Sequence, residues 1–172
     1  MAKLFTLPLP AATNAAPQQH VFYSDAQGAI HHIFLDGTGN HLLHDQWTEK
    51  TDPATAGDPA TMETPGQQHV FYRDGQGAIR HVFFDEPSNQ IYQDNWTENS
   101  GAPLAAGNPV TMVTPNQQHV FYRDVQGDIQ HIFVNEKSQF FHDSWTQKKQ
   151  TTKAAGNPVT MVTPNQQHIF LS

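Results

Sequence analysis

The chain has 172 residues, enough for one domain with a substantial core. Its formal net charge of −7 and pI near 5.8 argue against a nucleic-acid backbone or an anionic membrane surface as partner. Cysteine is absent, which removes disulfide and thiolate chemistry, and no apolar run approaches the roughly 20 residues needed to span a bilayer.

The chain opens with MAKLFTLPLPAATNAA, one Lys followed by apolar and small residues. Pro8 and Pro10 break its short apolar stretch, unlike a secretory leader. Pro10-Ala11-Ala12-Thr13 aligns with a segment repeated later, so it is expected to belong to the fold. The expected location is cytoplasmic, or secreted without a cleaved signal peptide.

The phrase Gln-Gln-His-(Val/Ile)-Phe then begins at Gln18, Gln67, Gln117 and Gln166, a period of about fifty residues. The units run over about 10–57, 58–106 and 107–156, with a partial unit at 157–172. Each full unit predicts four short strands. The first is small and apolar (Val110-Thr111-Met112-Val113), and the second is of the type His69-Val70-Phe71-Tyr72. Asp74-Gly75-Gln76-Gly77 is a hairpin signal. The third strand is Ile79 to Phe84, and the fourth ends in a Trp-Thr pair at Trp47, Trp96 and Trp145. No stretch carries a helical period of useful length. The prediction is an all-β fold, a β-propeller of four-stranded blades, with a β-trefoil as the alternative. The first two strands occur four times and the last two only three times. A closed ring then needs either Leu4-Phe5-Thr6-Leu7 to complete a fourth blade or a homo-oligomer that shares the ring.

Strand alternation puts His69 and Phe71 on one face and Ile79, His81 and Phe83 on one face. Three His pairs follow: His20 with His32, His69 with His81, and His119 with His131. His168 begins a fourth pair without a mate. One His pair and one indole per unit suit a sugar. A pyranose has an apolar face that lies on an aromatic ring, and its hydroxyls need a donor and an acceptor at fixed positions. Neutral imidazole offers one of each. The expected partners are therefore glycans, bound at repeated and multivalent sites. Two other readings compete. The indoles can be packing between blades of a protein-interaction or structural propeller, or the eleven His can hold a metal. No repeated acid is read as placed beside the pairs. Asp25, Asp74 and Asp124 precede turns, where Asp serves the backbone. Phosphate loops, zinc-protease motifs and nucleophile elbows are absent, so no enzyme activity and no cofactor are expected.

The order of a small apolar strand, His69-Val70-Phe71-Tyr72, Asp74-x-x-Gly77-x-Ile79, a strand ending near Asp, Trp96-Thr97 and Gly107-x-Pro109 resembles the blade of the fucose-binding β-propeller lectins of fungi and bacteria. That resemblance implies six blades, and short chains that assemble into the ring. It also implies an Arg and a Glu holding the sugar, with aromatics from the neighbouring blade stacking on it. His69 stands at the Arg position and His81 at the Glu position. Trp96 matches one aromatic, and Leu35, Phe84 and Val134 fall at the other. Carried over, one site groups His20, His32, Phe84 and Trp96. A second groups His69, His81, Val134 and Trp145, and a third groups His119 and His131 with Trp47 of another chain.

Overall fold

A computed structural model describes residues 18–36, 41–164 and 166–171. The expected first strand of the first unit and the segment Leu4–Leu7 lie outside the described residues. The protein is all-β, with thirteen strands in four antiparallel sheets and two short helices among the described residues.

The first sheet holds β1 (Gln19–Ser24), β2 (Ile30–Leu35) and β3 (Leu42–Gln46) in that order. The second holds β4 (Ala60–Thr64), β5 (Gln67–Arg73), β6 (Ile79–Asp85) and β7 (Gln90–Asn95). The third repeats it with β8 (Val110–Thr114), β9 (Gln117–Arg123), β10 (Ile129–Asn135) and β11 (Phe140–Ser144). The fourth is the pair β12 (Val159–Thr163) and β13 (Gln166–Phe170). Every sheet is a meander of neighbouring strands in sequence order, so each sheet coincides with one sequence unit.

The turn between the second and third strands is built by one aspartate. Asp74 Oδ1 accepts from Gln76 N and Ala78 N at 2.9 Å each, and Asp25 and Asp124 do the same in their units. Gly77 closes the turn at φ +90°, and a Cβ there would stand 2.8 Å from the Ala105 carbonyl oxygen. Only glycine fits that position.

The Trp-Thr pair differs from expectation. It does not end the fourth strand in the second and third sheets. Trp96 and Trp145 begin the helices α1 (Trp96–Ser100) and α2 (Trp145–Lys149). Asn95 and Ser144 cap them, their side chains accepting from Glu98 N and Gln147 N. The bend drops the threonine back onto the sheet. Thr48, Thr97 and Thr146 Oγ1 accept from the backbone N–H of Ile30, Ile79 and Ile129 at 2.8, 2.8 and 3.1 Å.

The two faces of a sheet differ, and each packs on its unlike neighbour. Met62, Phe71, Ile79 and Trp96 of the second sheet meet Val120, Tyr122 and Ile132 of the third. Ile30 and Trp47 of the first meet Val70, Tyr72, Val82 and Phe84 of the second. The first strands are also tied to one another. Thr111 Oγ1 donates to the Thr61 carbonyl at 2.5 Å, and Thr160 Oγ1 to the Thr111 carbonyl at 2.8 Å. Replacing Thr97 with Val keeps the shape but leaves the buried Ile79 N–H without its acceptor. Chemical denaturation is expected to show a loss of about 1–3 kcal/mol, whereas an unchanged midpoint would remove the structural role given to this threonine.

Candidate functional site

The His pairs lie at the middle of the sheets. In the second sheet His69 sits opposite Phe83 and His81 opposite Phe71, so the two imidazoles are diagonal neighbours on one face. His69 Nδ1 lies 2.9 Å from His81 Nε2, and the equivalent distances are 2.8 Å for His20 with His32 and 3.0 Å for His119 with His131. The second imidazole of each pair continues to a carboxylate. His32, His81 and His131 Nδ1 lie 3.0, 3.0 and 3.1 Å from Asp45, Asp94 and Asp143 Oδ1. At the other end Thr64 and Thr114 Oγ1 lie 2.9 and 3.0 Å from Nε2 of His69 and His119.

One proton arrangement satisfies the contacts from threonine to carboxylate, although the Trp96 Nε1–H, 3.2 Å from His81 Nδ1, then finds no lone pair there. An ionised carboxylate only accepts, so His81 Nδ1–H must donate to Asp94. That leaves His81 Nε2 as an acceptor, which requires His69 Nδ1–H to donate to it. His69 Nε2 then accepts from the Thr64 hydroxyl. The relay crosses all four strands, β4 to β7, and recurs across β8 to β11. The absence of a repeated acid beside the pairs, read from the sequence, is thereby corrected. Asp45, Asp94 and Asp143 recur two residues before each Trp, a signal visible in the sequence.

Aromatic rings complete the face. Phe71 stacks on His81 at 4.4 Å and Phe83 at 4.9 Å, with interplanar angles of 10° and 9°. Trp96 meets the His81 ring edge-on at 5.4 Å, as Trp47 meets His32 at 5.2 Å and Trp145 meets His131 at 5.5 Å. The indole beside each His pair therefore belongs to the same unit. The grouping carried over from the lectin resemblance, with the indole taken from another unit, is not the one found. Trp96 packs towards the third sheet, away from His20 and His32, while Val134 does reach the second sheet's histidine face, packing on the cluster of Phe71 and Trp96 that surrounds His81. The reason is chain direction: the Trp follows the outer strand of its own sheet and folds back onto the face that carries the histidines.

Phe84 does come together with His20 and His32. A cavity of about 300 Å³ between the first and second sheets is lined by His20, His32, Phe34, Trp47, Gln68 and Phe84, among others. The first sheet supplies imidazoles and rings, and the second supplies Gln68 and Phe84 from its unlike face. Trp47 is fully buried, and its Nε1–H has no acceptor among the described residues. His20 is only half-buried, and its relay has no threonine among the described residues. In the second and third sheets, by contrast, both nitrogens of every relay imidazole are engaged. Among the described residues, no group of three or more His, Asp or Glu is arranged to hold a metal ion.

Burial acts on these histidines in one direction. Desolvation, helped by the facing His81, pulls His69 down to about 3, and desolvation with His131 pulls His119 down to about 4. Both stay neutral when folded but gain a proton below about 6.5 when unfolded. Their contribution to stability is complete above that pH and is lost as pH falls towards 4 and 3. The expected slope is at most about 1.4 kcal/mol per pH unit for each histidine. Denaturation midpoints from pH 7 to pH 4 should fall, and the double variant His69→Gln/His119→Gln should flatten the profile. No protein-family model matches the chain, and no curated protein matches it either.

Proposed function

We propose that the chain is a sugar-binding β-propeller without enzyme activity, its sheets serving as blades and neutral glycans entering the clefts between them. The observation that carries this reading is the buried, unpaired Nε1–H of Trp47 at the wall of the first cavity. A buried donor without an acceptor costs about 1–3 kcal/mol, and a ligand hydroxyl relieves that cost once a small shift of the surrounding side chains opens the closed-off Nε1–H to the cavity. Around it stand the half-buried His20, the amide of Gln68 and the rings of Phe34 and Phe84. Flat apolar area beside a few convergent polar groups matches the two-sided surface of a pyranose.

The relay supports a binding role over a catalytic one. Thr64, His69, His81 and Asp94 have the connectivity of a nucleophile with its base. A base held near 3 takes no proton from a hydroxyl at neutral pH, and the same relay recurs in the next sheet as part of the packing. Single-site affinity in so small a cavity is expected to be modest, and avidity of roughly 10²–10⁴ requires several copies of the chain, each contributing its first cleft.

A second reading, a protein-interaction platform, is favoured by the burial of Trp47 and Trp96 in the sheet interfaces. A glycan array separates the two, since selective signal on related neutral glycans supports the lectin and a blank array supports the platform. Within the lectin reading, Trp47→Phe keeps the ring and removes the N–H. Affinity for the best array glycan is expected to fall about tenfold, equivalent to about 1.4 kcal/mol, with the circular dichroism spectrum unchanged. Full affinity in that variant would remove Trp47 from the site.

A further inference from the structure

The interface between successive sheets is formed by two unlike faces, and among the described residues one copy of each is unmated. The first kind carries Val70, Tyr72 and Ile91 in the second sheet, with Val120, Tyr122 and Phe140 as equivalents in the third. The second kind carries Met62 and Phe71 in the second sheet, with Met112 and Phe121 as equivalents. Val70, Tyr72, Ile91, Met62, Phe71, Met112 and Phe121 are all buried. The first sheet repeats the first kind of face as Val21, Tyr23 and Leu42, which are 60%, 38% and 74% exposed. The fourth repeats the second kind as Met161 and Phe170, which are 45% and 51% exposed. The other face of the fourth sheet is already used, since Ile169 packs on the third sheet beside Phe121 and Trp145.

We infer that these two faces bind each other between copies of the chain, so that the first sheet of one copy packs on the fourth sheet of the next. The interface would be heterologous and would continue, between chains, the packing already seen three times within one. Residue chemistry agrees with it. Val21, Tyr23, Met161 and Phe170 are the same residue types as their buried equivalents, and Leu42 stands for Ile91. Such a contact joins unlike patches, so it closes into a ring or extends, and it does not form the self-complementary patch of a two-fold dimer. Exposed apolar faces of this kind mark association surfaces. The inference does not depend on sugar binding, since it concerns sheet faces and not the clefts.

Sedimentation velocity over a range of concentrations tests it. The unmodified chain is expected to sediment as a dimer or larger. Val21→Glu and Phe170→Glu should each shift it towards monomer. An equimolar mixture of these two variants should recover a dimer, because each retains the face the other has lost. All these positions are solvent-facing, and thermal melting of each variant checks that the fold is kept. The chain has no native cysteine, so Tyr23→Cys and Phe170→Cys act as clean reporters. Mixing them should give the hetero-disulfide in preference to either homo-disulfide. A monomer at every concentration would overturn the inference, whether residues 1–17 of the same chain cover the faces or nothing does. Glu variants that sediment like the unmodified chain, or homo-disulfides alone, would overturn it as well.

Discussion

A carboxylate that has no proton to give determines the hydrogen bonding of a whole sheet face. Asp94 accepts from His81, which must then accept from His69, which must then accept from Thr64. With the direction fixed at one end, every tautomer along the relay is fixed as well. Two imidazoles can therefore be buried side by side without charge and without an unsatisfied nitrogen. That satisfaction is what lets Phe71, Phe83 and Trp96 close around them and turns a polar centre into a surface on which the next sheet packs.

The same constraint separates the first cleft from the others. Where a threonine begins the relay, the histidines are spent on structure, and the sheet face is closed. In the first sheet His20 is half-buried and the neighbouring Trp47 N–H is unpaired. Repetition of sequence thus does not give repetition of chemistry. A unit whose relay is complete buries its histidines, whereas His20 of the first unit keeps part of its surface.

Much of the fold was legible because it is local. The Asp-x-x-Gly turn, the period-two alternation and the recurrence of the Gln-Gln-His phrase each act within one unit, and each appears in the sheet where it was expected. The position of the Trp-Thr pair was less legible. Asn95 and Ser144 are ordinary residues at a strand end and also good helix caps, and only the turn after them distinguishes the two. Asp45, Asp94 and Asp143 are harder to read from the sequence, because the turn aspartates Asp25, Asp74 and Asp124 recur more conspicuously. The partner of each indole was not legible either, since alternation assigns a residue to a face of its own sheet but does not say which neighbouring sheet that face meets.

The relay also has a polarity. It runs from the first strand of a sheet to its last, with donors throughout pointing towards the outer carboxylate. Each complete relay therefore leaves its negative end at the margin formed by β7 or β11, and none at the margin of β4 or β8. In the third sheet Lys148, 2.6 Å from Asp143, offsets that charge. Among the described residues, no lysine or arginine forms such an ion pair with Asp94 in the second sheet or Asp45 in the first. The outer margin of the second sheet therefore carries the negative end of its relay at the one-third-exposed Asp94, whereas Lys148 balances it in the third, so two sheets of near-identical sequence present unlike margins.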